Sequence, residues 1–281
     1  MLASLAKLLV QSPNADAQTD GIWLGSLYSF MMKPIVPLAG VVFYLTMVKT
    51  WEQRNRRQAL AAKRAAAQPG GGPNLKPLII AHNLVLAAYS IWTFGSYFPA
   101  VLQVVRQHGL KSGFCDSHGV LWSGKLLEHG FLFYLSKYYE FIDTAIILAK
   151  GRPAGRLQTF HHAGAVSIMW MGNYFQSPYL SFFVFENSLI HSLMYTYYTL
   201  TALGIKPPGK QLLTSLQISQ FYIALTAGVV YAMLPSCQNY AQKAFTYIFV
   251  AYILELIRLF TQFARKTYGP RPAAAPAKKR R

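Results

Sequence analysis

Three charged side chains and a threonine crowd a short part of an otherwise apolar stretch: Lys137, Glu140, Asp143 and Thr144 in KYYEFIDT. At ~100° per residue of helix they share an arc of about 120°. An ionisable group inside a membrane costs ~3 kcal/mol or more on insertion scales, so such residues are functional candidates that need partners. Lys137 and Glu140 could also be a self-neutralising pair that only orders a bundle. A second group, LQTFHHAGA, sets Gln158, His161 and His162 at i, i+3 and i+4, on one face. A lone membrane histidine usually packs and hydrogen-bonds. Two adjacent ones beside a glutamine suggest chemistry, because imidazole, with an ordinary pKa of ~6.5, is a competent nucleophile near neutral pH. A third group, ENSLIHSLMYTYY, aligns Asn187, His191, Met194 and Tyr198 in a narrow stripe. His191 carries the functional weight there, while Met194 and the tyrosines read as packing. The fourth, TSLQISQF, offers Thr214, Gln217 and Gln220, whose amides could bind a substrate carbonyl or cross-link helices.

The elements that hold these groups are membrane spans. Of 281 residues 53% are apolar and only 13% charged, about half the charged share of a soluble domain, ~25%. Seven stretches come near the ~20 apolar residues of a spanning helix: about 30–48, 78–99, 126–149, 157–175, 179–203, 211–233 and 244–264. The fold class is therefore an all-α integral membrane protein with seven transmembrane helices. Residues 1–29 read as a luminal N-terminal segment, 30–264 as the helical domain and 265–281 as a basic cytosolic tail. No signal peptide and no internal repeat is evident.

The net charge of +18 could suggest nucleic acid, but its placement explains it better. Nineteen of the 27 Lys and Arg fall in the segments 49–76, 150–156, 204–210 and 265–281, against four in the alternating ones. The positive-inside rule then puts the N-terminus away from the cytosol and the C-terminus in it. Segment 49–76 reads as a basic cytosolic loop, with 58–74 and 268–281 as flexible linkers rich in Ala, Gly and Pro. The terminal KKRR resembles a dilysine signal for retrieval to the endoplasmic reticulum, though a basic tail on anionic lipid accounts for it too. Both cysteines, Cys115 and Cys237, fall in loops on the non-cytosolic side, where an oxidising lumen favours their pairing.

With these residues in place, the chain resembles the ELO-type very-long-chain fatty acid elongases. KYYEFIDT matches that family's KxxExxDT box, NSLIHSLMYTYY its NxxxHxxMYxYY box and TSLQISQF its TxxQxxQF box, over roughly 77–265. The histidine box, HxxHH in most members, is QTFHH here, with Gln158 in place of the first histidine. That variant resembles microalgal elongases acting on Δ9-polyunsaturated eighteen-carbon chains. The resemblance implies six helices forming a barrel around an acyl tunnel, closed at the lumen and open to the cytosol. It implies condensation of acyl-CoA with malonyl-CoA to 3-ketoacyl-CoA, CO2 and CoA, with no cofactor and no metal. His161 would take the acyl group, and His191 would help activate the second substrate. His162 and Asp143 would complete the catalytic set. Lys137, Glu140, Gln158, Asn187, Tyr195, Tyr198, Thr214, Gln217 and Gln220 would bind and polarise the substrates. Partners would be the lipid bilayer, the ketoacyl-CoA reductase, dehydratase and enoyl-CoA reductase of the cycle, and a second copy in a homodimer.

Two other classes fit less well. A di-iron desaturase or hydroxylase also uses histidines, and His161, His191 and Asp143 could serve one iron. Yet no HxxxH box occurs, and of seven histidines only His161, His162 and His191 cluster in the sequence. A seven-helix receptor, retinal protein or transporter is disfavoured because 244–264 contains no Lys for a Schiff base and no paired repeats are visible. Within the elongase reading, the alternative is a polyunsaturated elongase of another double-bond preference.

Overall fold

The computed structural model describes residues 25–64, 74–234 and 236–269, with the side chains of 63 and 64 excepted. The described residues are all helical and turn, with no strand. The helices are α1 (Gly25–Met31), α2 (Ile35–Arg64), α3 (Lys76–Cys115), α4 (Lys125–Tyr139), α5 (Phe141–Ala149), α6 (Gly155–Tyr174), α7 (Pro178–Leu203), α8 (Lys210–Met233) and α9 (Tyr240–Tyr268). Their ends follow local chemistry. Pro178 opens α7, where a missing N–H costs nothing. Gly204, at φ +98°, closes α7 in the left-handed region that favours glycine. Asn239 and Gln242 exchange side-chain-to-backbone bonds of 2.9 Å at the start of α9, which satisfies two otherwise orphaned donors.

Among the described residues, four helices are long and apolar enough to cross a membrane: Ile35–Ala62 of α2, α3, α8 and α9. Of the rest, α1, α4 and α5 are too short, at 7, 15 and 9 residues, while α6 and α7 carry the histidines, Gln158, Glu186 and Asn187, which lower their apolar content. Outward faces are apolar as well, with Leu84, Val85 and Ile91 on α3 and Tyr222, Ile223 and Val230 on α8 exposed. Such continuous apolar surface is rare on soluble monomers and is compatible with a multi-pass membrane protein.

Packing closes on itself. α3 packs on α7, α7 on α8, α8 on α9, α9 on α6, α6 on α4 and α4 back on α3; α4 and α6 also touch α7 across this ring, and α2 lies outside against α6 and α5. One end of this ring is filled by aromatic side chains. Phe133, Phe183 and Phe249 meet ring to ring, and Tyr179, Tyr231 and Phe245 are buried beside them. Tyr97 donates to Ser181 Oγ at 2.6 Å, and a disulfide joins Cys115 to Cys237 at this end. Asp116 orders the turn after α3 by accepting from the Leu121 and Trp122 amides at 2.9 and 3.0 Å. Burial nevertheless pushes its carboxyl above the usual range.

Three boundaries differ from the sequence expectation. Residues 49–64 are not a loop but the last turns of α2, because this stretch lacks Gly and Pro and is rich in good helix formers. The linker expected over 58–74 is therefore helical to Arg64, and 65–73 lie outside the described residues, as do 1–24 and the KKRR terminus. The stretch 126–149 is not one helix; it breaks at Glu140 between α4 and α5. The second apolar stretch runs on past residue 99 to Cys115, with a non-helical Gly109 at φ +82°, a conformation glycine adopts without steric penalty.

Candidate active site

At the end of the ring away from the aromatic fill lies a cavity of about 1040 Å³, at the top of the ~300–1,000 Å³ typical of small-molecule sites. Five helices supply its polar lining. The α4–α5 junction gives Glu140 and Asp143; α6 gives Gln158, His161 and His162. From α7 come Asn187, His191, Tyr195 and Tyr198, and from α8 Thr214, Gln217 and Gln220. The first turns of α3 add Asn83 and Lys76. Twelve of the thirteen catalytic and substrate-binding positions expected from the sequence thus line one space.

Lys137 is the exception. It is 3% exposed and sits behind Glu140, its Nζ 2.6 Å from Glu140 Oε1 and 4.0 Å from the centre of the Phe133 ring. Its direct substrate contact is not supported; the lysine neutralises the carboxylate that does face the cavity. The same Oε1 lies 3.8 Å from His191 Nδ1, while Glu140 Oε2 is buried without a partner. Glu140 therefore stands between the buried cation and the histidine on α7, bonded to the first and near the second.

Asp143 is held from two sides. His82 Nε2 is 2.9 Å from Oδ1, and the Tyr195 hydroxyl donates to Oδ2 at 2.9 Å. Two such bonds fix a carboxylate's orientation. Sequence reasoning missed His82. Its signal was present, since it is an ionisable residue in the apolar stretch 78–99, but only the fold shows that it joins the histidines of the other boxes.

Gln158 completes a chain of contacts beneath the histidines. Its Nε2 donates to Thr144 Oγ1 at 3.1 Å and lies 2.7 Å from His162 Nε2. Thr144 in turn meets the hydroxyl of buried Tyr44 at 3.0 Å. Tyr44, on α2, carried no sequence signal. The His161 ring makes no hydrogen bond among the described residues and borders the open cavity, while its carbonyl accepts from Tyr252 at 2.9 Å. The imidazole packs edge-on against the His162 and Phe260 rings and leaves its nitrogens without a hydrogen bond among the described residues. Asn187 Nδ2 donates to Gln220 Oε1 at 3.4 Å, Gln217 Nε2 reaches Met194 Sδ at 3.1 Å, and Thr214 Oγ1 lies 3.2 Å from the Tyr268 hydroxyl. The α8 amides are thus partly engaged in holding α7.

The cavity rim carries Lys76, Lys150, Arg152 and Lys210. Cations around an opening attract anionic ligands and fix phosphate groups. No three His, Cys, Asp or Glu side chains among the described residues group as a metal site, so His161, His191 and Asp143 do not converge as the iron-binding set considered from the sequence.

Fold and site together define, among the described residues, an all-helical architecture with a histidine-bearing polar cavity enclosed by apolar helices. The model of the ELO, or GNS1/SUR4, family matches residues 29–278, and the chain belongs to that family. Among curated relatives it is 30% identical over 208 residues to the human very long chain fatty acid elongase 3, covering 70% of this chain and 74% of that protein. It is likewise 30% identical over 207 residues to the very long chain fatty acid elongase 5 of Xenopus laevis, covering 71% and 68%. Similarity to fatty acid elongase A of Dictyostelium discoideum is 30% over 196 residues, covering 66% and 70%.

Proposed function

We propose that this protein is the condensing enzyme of a fatty acid elongation cycle, a 3-oxoacyl-CoA synthase that joins a long-chain acyl-CoA to malonyl-CoA. The observation that carries this reading is the convergence of four sequence boxes on one cavity with a cationic rim. The rim suits the phosphates of CoA, and the apolar interior suits an acyl chain.

The chemistry follows from the side chains. His161 attacks the acyl thioester, forming an acyl-imidazole, and CoA leaves with the proton given up by the ring. Malonyl-CoA then enters and loses CO2. The resulting enolate attacks the acyl carbonyl, forming the new carbon–carbon bond, and the imidazole leaves and regains a proton from the medium. One proton is consumed per turnover. His191 and Asn187 would donate to the enolate oxygen, the charge that preorganised buried donors stabilise most. Glu140, neutralised by Lys137, would orient His191. Asp143 and His162 would position the groups around the reacting carbonyl, while Tyr195, Tyr198, Thr214, Gln217 and Gln220 would shape the substrate path. Gln158 can donate and accept hydrogen bonds but cannot carry a proton, so relay through that position is not used.

In this reading the helices cross the endoplasmic reticulum membrane seven times, α4 and α5 together making one pass, with the cavity mouth in the cytosol. Six passes ring the acyl tunnel and α2 stands outside. The QTFHH box supports Δ9-polyunsaturated eighteen-carbon substrates. Reduction and dehydration of the product fall to partner enzymes, and the chain works as a homodimer.

The test is a condensation assay on membranes or purified protein. Malonyl-CoA and a panel of acyl-CoAs are supplied with and without chelator, and 3-ketoacyl-CoA is followed by mass spectrometry. Two-carbon extension in both tubes is expected, fastest with Δ9-unsaturated eighteen-carbon chains. With acyl-CoA alone the protein should gain one acyl mass, and His161→Ala should abolish this gain while remaining folded. Full activity in His161→Ala would overturn the acyl-imidazole. A folded protein that extends no acyl-CoA would overturn the reading itself.

A further inference from the structure

A second cavity, of about 940 Å³, lies outside the ring between α2 and α6 and shares no lining residue with the first. On α2 its wall runs through Val41, Leu45 and Val48 to Lys49, Glu52 and Arg56, spaced so that all lie on one helical face. On α6 it runs through Ala163, Gly164 and Phe160 to Arg156. The two helices are antiparallel. Trp170 bonds to the Met32 carbonyl at 3.0 Å, Tyr44 to the Gln158 carbonyl at 3.4 Å and the Ala154 amide to Glu52 Oε1 at 2.9 Å. Both walls therefore change from apolar to basic at the same level and toward the same end.

The charge at that end is positive. Glu52 turns one oxygen to the Ala154 amide, and Lys49 and Arg56 make no ion pair among the described residues, so with Arg156 they outnumber that single carboxylate of the groove. Arg156 is 74% exposed, with one Nη2 contact of 3.2 Å to Glu255, a carboxylate that Arg258 also engages at 2.5 Å. The small side chain at Ala163 leaves the apolar part open on the α6 wall. An aliphatic slot that ends in three cations matches the shape and charge of an anionic amphiphile lying parallel to the helices. Basic pockets between membrane helices recognise acidic lipid head groups in this way.

We propose that this groove binds one anionic phospholipid of the leaflet facing the basic segments. The phosphate lies at Lys49, Arg56 and Arg156, and an acyl chain follows Leu45, Phe160 and Ala163. The inference rests on the membrane reading of the chain and not on the condensation reaction. The bound lipid packs on the face of α6 opposite Gln158, His161 and His162, so it would brace α2 against the helix that carries the histidine box.

The test is native mass spectrometry of the full chain in mild detergent, with phosphatidylinositol or phosphatidylcholine of matched acyl chains. Retention of one phosphatidylinositol in preference to phosphatidylcholine is expected. The combined Lys49→Gln, Arg56→Gln and Arg156→Gln variant should weaken that retention by roughly a hundredfold, from the per-residue attraction of basic side chains to anionic lipid. Ala163→Leu, which fills the slot and keeps every charge, should weaken it too. Soluble glycerophosphoinositol should fail to compete. Unchanged retention in both variants would overturn the proposal, as would displacement of the lipid by the soluble head group. A change of subunit stoichiometry in Ala163→Leu, with lipid retained, would make the groove a subunit contact and also overturn it.

Discussion

Replacing Lys137 by Met separates what the buried pair does for the fold from what Glu140 does in the cavity. Lys137 and Glu140 are 3% and 2% exposed and 2.6 Å apart. Without the lysine, Glu140 keeps only a long 3.5 Å bond from Ser136 Oγ. Removing one partner of a buried ion pair costs ~3–5 kcal/mol, because the other charge is left uncompensated. For a chain of a few hundred residues, at ~2–4 °C per kcal/mol, the apparent Tm should fall on the order of 10 °C. Adding Glu140→Met should recover most of this loss, since replacing both members of a buried pair by apolar groups is often neutral. Activity should not recover, because Glu140 Oε1 also lies 3.8 Å from His191 Nδ1. The assay pairs thermal unfolding of the three variants in detergent with malonyl-CoA-dependent condensation. A single variant within ~1 kcal/mol of wild type, below the range for a broken buried pair, would refute the energetic argument. An active double variant would refute the role given to Glu140.

Gln158→His should leave substantial condensation, with altered acyl preference, because an imidazole can still hydrogen-bond toward Thr144; a folded but inactive variant in the same assay would show that the amide itself is needed. Reducing the Cys115–Cys237 disulfide, or Cys115→Ser, releases a link across 122 residues, which chain-entropy arguments value at about 5 kcal/mol. Thermal unfolding with and without reductant should show this loss, and equal midpoints would contradict it. At Gly164 an added Cβ would overlap the Tyr252 ring, and that tyrosine anchors the His161 carbonyl at 2.9 Å. Gly164→Ala should therefore lower the rate of acyl-enzyme formation far more than it raises the KM for malonyl-CoA, as steady-state and single-turnover kinetics would show.

The polar boxes were legible in the sequence because helical periodicity is local. Spacings of three and four residues put Gln158, His161 and His162 on one face, and Asn187 and His191 on another, whatever the rest of the chain does. The apolar stretches and the basic segments likewise announced a membrane protein through composition. Tertiary structure alone decided which polar face meets which. Asp143 pairs with His82, 61 residues away, and Thr144 with Tyr44, 100 residues away. No periodicity within one helix can report a partner on another. The break at Glu140 was equally hidden, because residues 137–144 read as continuous helix and yet divide there. That break accompanies the separation of roles within one box: Lys137 is buried behind the wall while Glu140 and Asp143 face the cavity. Spacing determined which residues could act together, and packing determined which of them line the cavity.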